Sequence, residues 1–222
     1  MDTKIDCLDH GFVRLVDYMG SDLSVVRAAR VSYDAEPRND GSDAKLIHYL
    51  WKNKHVSPFE AVTFTFEVKA PIFVFRQWHR HNSWRFNEVS ARYSELPEEF
   101  YVPALDQITT QSMDNKQMRT DKQNPNANLI QHDIHNAGRY AFKVYHEMLR
   151  DGCPRELARM VLPMGTYSRM FATANLRSLF HFLELRMHAH AQHEIRVFAQ
   201  AMMDIVRPIV PICCDAFDTA KG

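Results

Sequence analysis

The chain has 222 residues, 45% of them hydrophobic and 24% charged, with Lys plus Arg and Asp plus Glu balanced at 27 each. That length can bury a sizeable core in one domain. The zero net charge excludes the basic excess from which proteins that coat nucleic acid draw their affinity, so phosphate recognition has to be local. Cys7, Cys153, Cys213 and Cys214 contain no C-x-x-C pair, which fits neither a disulfide framework nor a zinc ribbon and predicts free thiols in a reducing compartment. Residues 1–6 have no apolar stretch of the kind that opens a signal peptide, and no uncharged apolar run approaches the roughly 18 residues of a membrane span. The expectation is a cytoplasmic protein.

Apolar residues over 11–18 predict a first strand. Ser21 or Asp22 then caps a helix over 23–33, in which Val25, Val26 and Ala29 share a face. Residues 37–41 read as a loop, and Ser42 or Asp43 caps a second helix running to about Lys54. Ser57-Pro58 looks like another helix start, since proline suits the first helical position. Alternating β-branched and aromatic residues over 63–68 predict a strand. After Pro71 the chain is first apolar and then cationic through His81, the order expected of an element that leaves the core and delivers its end to a site. Residues 106–128, rich in Gln, Asn, Thr and Asp, read as a polar surface excursion.

A long helix is predicted over 129–150, with Ile134, Tyr140, Ala141, Val144, Tyr145, Met148 and Leu149 as its apolar stripe. Gly152 ends it, Pro154 opens a short helix through Val161, and Pro163 closes that one. A strand over 166–173 and helices over 175–187 and 190–207 follow, the last stopped by Pro208 and Pro211. With no repeat and no shift of composition, one α+β domain spanning 1–222 is the economical reading.

The densest functional run is 76–93. It holds four arginines after Arg76 is counted with Arg80, Arg85 and Arg92, together with His79, His81, Asn87 and Glu88. Guanidinium forks bind phosphate and aromatic faces stack on heterocycles. Interleaved Trp78, Trp84, Phe86 and Tyr93 therefore put a nucleotide pocket level with a solvated cationic loop, and the chemistry of the run leaves both open.

This run resembles the signature of the flavin-dependent thymidylate synthases: R-H-R, two residues, S, one residue, N-E, one residue, S, one residue, R-Y. Arg80, His81, Asn87, Glu88, Ser90, Arg92 and Tyr93 match it without a gap. Further similar blocks lie at 25–32, 55–60, 70–74, 154–159, 175–179 and 185–186. Three positions depart from the family pattern: Asn82 for the second arginine, Arg85 for the first serine, and His181 for an Asn that helps hold the flavin.

The resemblance implies an α+β fold, a sheet flanked by long helices, assembled as a homotetramer with sites shared between subunits. It implies reductive methylation of dUMP to dTMP, with methylenetetrahydrofolate as carbon donor, NADPH as electron donor, and FAD as carrier of electrons and carbon. By the same resemblance His55, Ser57, Arg80, His81, Asn82, Glu88, Asn175, Leu176, Arg177 and His181 are flavin positions. Gln77, Trp78, His79, Arg80, Glu88, Val89, Ser90, Ala91, Arg92, Arg159 and Arg186 are nucleotide positions. Arg186 is the catalytic residue: a fixed guanidinium beside the pyrimidine stabilises charge developing at N3 or O2 and so activates C5. Cys153 and Ser90 have no neighbouring base and are read without a nucleophilic role.

Three rival readings stand beside this one. A flavin- and folate-dependent hydroxymethylation of dUMP or dCMP at C5 is motivated by Asn82, Arg85 and His181. An RNA-binding module would use Trp78, Trp84 and Arg85 as a stacking platform, and the zero net charge counts against it. The run His188, His190, His193, Glu194 suggests a metal site. On one continuous helix, however, positions 188 and 190 point about 200° apart, so no metal is expected.

Overall fold

Period-two burial builds the centre of the molecule. The computed structural model describes residues 3–38 and 40–220; Asn39 of the predicted 37–41 loop, and Met1 and Asp2 of the predicted leaderless start, lie outside the described residues. Val13 and Leu15 on β2 (Gly11–Met19), Phe64, Phe66, Val68 and Ala70 on β3 (Thr63–Pro71), and Met170, Ala172 and Ala174 on β7 (Tyr167–Asn175) point to one buried face. With β1 (Lys4–Cys7) and β4 (Arg85–Glu88) they form an antiparallel sheet of order β1-β2-β3-β7-β4. The opposite face is polar at its centre. There Glu67 takes Arg14 at 2.5 Å and Arg169 at 3.4 Å, and the Thr65 and Thr173 hydroxyls meet at 3.0 Å.

Helices cover the apolar face. α1 (Asp22–Arg30), α2 (Gly41–Lys52), α3 (Ile72–Trp78), α6 (Leu176–Arg186), α7 (His193–Val206) and α8 (Pro211–Thr219) share its core. One aromatic cluster joins Trp51, Phe59, Phe180 and Phe217, and a second stacks Trp78 on Phe182 at 4.6 Å between centroids. α4 (Ala127–Arg150) and α5 (Arg155–Ala158) build a separate small core on Phe142, Tyr145 and Ala158.

Several expectations need correction. α2 is capped by Asp40, which accepts from the Ser42 amide at 2.8 Å, rather than by Ser42 or Asp43. Tyr140 of the predicted α4 stripe is 68% exposed, and Phe142, which the stripe omitted, is buried. The 106–128 excursion holds a two-stranded ribbon, β5 (Thr109–Gln111) and β6 (Arg119–Gln123). The last long helix begins at His193 rather than 190, and Pro211 opens α8 instead of only stopping what precedes it. β1 and β4 had no counterpart in the sequence reading.

Candidate functional site

α3 leaves the core and ends beside α6. Val74, Phe75 and Trp78 anchor it in the core, and a turn follows in which the His81 and Trp84 amides donate to Trp78 and His81 carbonyls. That turn meets the C-terminal end of α6. Arg186 Nε donates to His81 Nε2 at 3.0 Å, and Arg186 Nη2 donates to the Gln77 carbonyl at 3.3 Å. A guanidinium held at two of its nitrogens has little rotational freedom left.

The electrostatics fit that arrangement. Burial, then the Arg186 charge, then His181 push the His81 pKa down to about 4, so the ring is neutral at physiological pH and can accept the Arg186 proton donor. Burial and Arg80 lower the Arg186 pKa, yet a guanidinium remains a cation at neutral pH. The His181 ring stands 5.9 Å from that of His81, centroid to centroid, and Phe182 backs His81 at 5.0 Å. Asn82 is exposed at the turn, and the exposed Arg85 donates back to the Trp84 carbonyl at 3.1 Å.

A second group lies at the far end of β4. Glu88, Val89, Ser90 and Ala91 form one side of a cleft of about 350 Å³, and Ile72, Arg159, Leu162 and Ser168 help form the rest. The Ser168 hydroxyl, on β7, donates to Glu88 Oε1 at 2.7 Å. Ser90 Oγ accepts the Arg92 amide at 3.3 Å, and the Arg92 guanidinium lies 3.4 Å from Glu156.

The third group sits at the N-terminal end of α6. Asn175 caps that helix, its Oδ1 accepting the Ser178 amide at 2.9 Å. Arg177 pairs with Glu60 at 2.5 Å, beside the one-turn helix Ser57–Ala61, and His55 and Ser57 are exposed. α6, eleven residues long, sets this group roughly 16 Å from Arg186 along the helix axis. The flavin positions expected from the sequence therefore fall along α6, at both its ends and, with His181, on its body.

The aromatic argument of the sequence reading fails in part. The rings of Trp78 and Trp84 are 0% and 3% exposed, so neither offers a stacking face, and the RNA platform built on them is lost. Trp78 and Leu176 are both fully buried, and the Leu176 amide donates to the Val62 carbonyl at 2.8 Å, so neither of these expected contact residues offers a surface to a ligand in this arrangement. His79 sits edge-on to Phe86 at 4.8 Å. His188 and His190 belong to an irregular segment between α6 and α7, so the helical-angle argument about them does not apply; their rings touch at 4.7 Å. Among the described residues no group of three or more His, Cys, Asp or Glu is placed to hold a metal ion. Sequence reasoning missed Ser168, the partner of Glu88, which carried no local signal, and it read Glu194 only within a metal run.

The donor set fits a flavin dinucleotide. The half-exposed Arg177 with His55 and Ser57 supplies the chemistry of a phosphate contact, and the exposed His181 ring, beside the buried His81, supplies a planar polar face.

Comparison with known proteins identifies the family. The family model described as thymidylate synthase complementing protein matches residues 14–212. A flavin-dependent thymidylate synthase of Treponema denticola is 48% identical over 98% of this chain and 83% of its own length. That of Thermotoga neapolitana is 46% identical over 96% of this chain and 94% of its own. Among solved structures, the UMP/dUMP methylase PolB of Streptomyces cacaoi, bound with 5-Br dUMP, superposes with a TM-score of 0.88 at 38% identity, each chain covered to 97%. The pinned arginine, the cleft at the end of β4 and the capped start of α6 thus occur in a chain that belongs to the thymidylate synthase complementing protein family, that of the flavin-dependent thymidylate synthases.

Proposed function

We propose that this chain catalyses reductive methylation of dUMP to dTMP, with FAD bound and with methylenetetrahydrofolate and NADPH as co-substrates. The observation that carries the reading is the double anchoring of Arg186 by His81 and the Gln77 carbonyl. A positive charge fixed before substrate arrives stabilises negative charge as it develops on the pyrimidine at N3 or O2, with no reorganisation to make at that moment. Electron density then rises at C5, the carbon that gains the methyl group.

His55, Ser57, Arg80, His81, Asn82, Asn175, Arg177 and His181 would hold the flavin, whose bound ring supplies the redox chemistry. Glu88, steadied by Ser168, presents its carboxylate to the nucleotide along with Ser90, Arg92 and the Ala91 amide, beside Val89, whose own amide donates to the Arg169 carbonyl at 2.9 Å. Gln77, Arg80 and Arg159 complete the nucleotide contacts.

The assembly is a homotetramer. Support comes from large apolar side chains left exposed, among them Tyr18, Met19, Met160 and Phe171. The chain forms a single domain and works in the cytoplasm; among the described residues no helix is long and apolar enough to cross a membrane.

The test is to incubate the purified, FAD-supplemented protein with dUMP, methylenetetrahydrofolate and NADPH and to read the products by mass spectrometry. Formation of dTMP supports the reading. A hydroxymethylated product, or turnover of dCMP with none of dUMP, would replace it with C5 hydroxymethylation, the outcome that His181 beside His81 and the exposed Asn82 would then explain.

A further inference from the structure

Alternation along β7 places one hydroxyl in an apolar row. Positions 168, 170, 172 and 174 share the face that the helices cover, and Met170, Ala172 and Ala174 are buried there. Ser168, buried as they are, stands at the start of that row. A hydroxyl so placed has to find a partner or pay for its burial. The edge strand β4 supplies one. Glu88 stands opposite Met170, so its side chain shares the face and Ser168 is its diagonal neighbour. Ser168 Oγ donates to Glu88 Oε1 at 2.7 Å, and both residues line the cleft that holds Ser90, Ala91 and Arg159.

The two partners differ in how firmly they are held. Ser168 lies opposite Ala70 of β3, and on its other side the neighbouring Arg169 carbonyl accepts the Val89 amide at 2.9 Å. Its hydroxyl is therefore carried on backbone bonded on both flanks. Glu88 is exposed at the last position of a four-residue strand, and among the described residues no cation pairs with it. A glutamate left free there loses rotamer freedom when a ligand orders it, and one already held loses less. An ionised carboxylate only accepts. With Oε1 engaged, Oε2 keeps its lone pairs for a donor on the nucleotide, a sugar hydroxyl or a ring N–H.

We infer that Ser168 is a positioning residue for nucleotide binding, its hydroxyl setting the Glu88 carboxylate in the cleft before substrate arrives. It acts on affinity for the nucleotide and leaves the chemical step and the flavin alone. This assignment rests on the reading above, in which Glu88 meets the nucleotide.

The experiment compares Ser168→Ala, Ser168→Thr and Ser168→Val in the flavin-loaded, full-length protein. Threonine keeps the hydroxyl, and valine keeps the shape of threonine without it. One hydrogen bond is at stake, so Ser168→Ala and Ser168→Val should raise the dUMP KM roughly three- to tenfold, with kcat and bound flavin close to wild type. Ser168→Thr should return the KM to the wild-type value. Glu88→Ala raises the KM by itself, and adding Ser168→Ala should then change it no further, because the acceptor is gone. An unchanged KM in Ser168→Ala, equal KM values for Ser168→Thr and Ser168→Val, or a full Ser168→Ala effect on top of Glu88→Ala would overturn the inference. So would a loss of kcat or flavin in step with the rise in KM, which marks a purely structural hydroxyl. Wild-type protein that neither binds nor converts dUMP would strike the functional reading itself and is measured first.

Discussion

Arg186 and His81 define each other's state. The histidine accepts only while neutral, and the arginine's charge helps keep it so. Arg186→Ala should therefore abolish dTMP formation while leaving flavin absorbance largely in place, and the His81 pKa should rise toward the ordinary 6.5 in an NMR titration. The depressed pKa also has a stability consequence. Because the folded value, about 4, lies below the ordinary 6.5, the unfolded chain takes up this proton first as pH falls. The contribution is whole above pH 6.5 and is lost as pH approaches 4, amounting to at most ~3 kcal/mol. Urea unfolding at pH 7 and pH 4.5 should show that loss in the wild type and a smaller one in His81→Gln. Much of this site was legible only through the family resemblance: Arg80, His81, Glu88 and Ser90 match the signature, and Arg186 taken alone reads as a helix-surface arginine. The Trp residues misled because a side chain's chemistry does not say which way it points: Trp78 and Trp84 fill the core behind α6.

At the level of elements, α6 depends on its cap. Asn175→Ala removes the acceptor for the Ser178 amide and should cost about 1 kcal/mol in denaturant unfolding. α4 has a notch at Gly138, where an added Cβ would stand 2.4 Å from the Phe100 ring. Gly138→Ala gains about 1 kcal/mol of helix propensity but overpacks a ring already set against Phe142, at about 1–3 kcal/mol. A net loss of about 1 kcal/mol is expected, read as a lowered midpoint. The strands at the middle of the sheet were visible in advance because alternation marks β3 and β7 locally. β4 was not: Arg-Phe-Asn-Glu is polar, and it becomes a strand only because β7, some eighty residues later, offers it an edge. α8 was hidden by reading Pro211 as a stop, although proline equally opens a helix.

For the whole molecule, the open sheet face carries Phe171 on a central strand, 44% exposed, between ion pairs and hydroxyls. If the tetramer proposed above covers such surfaces, Phe171→Glu should shift sedimentation toward smaller species and lower bound flavin together. Retention of both would remove that face from the interface. Two cores also imply unequal exchange. α4 and α5 rest on a cluster of three buried residues, so their amides should exchange with solvent faster than those of β3 and β7 in an isolated protomer.

α6 acts as a ruler with a phase. Its cap fixes one end in the core at Leu176 and its last residue must face the Gln77 turn. One inserted residue anywhere between them would advance Arg186 by about 1.5 Å and swing it about 100° around the axis, away from both acceptors. The tip of the β5–β6 ribbon, at 113–116, carries no such phase. Differences in chain length among relatives should therefore gather at such tips and spare the eleven residues of α6, so that the count between cap and guanidinium stays the same even where the side chains drift.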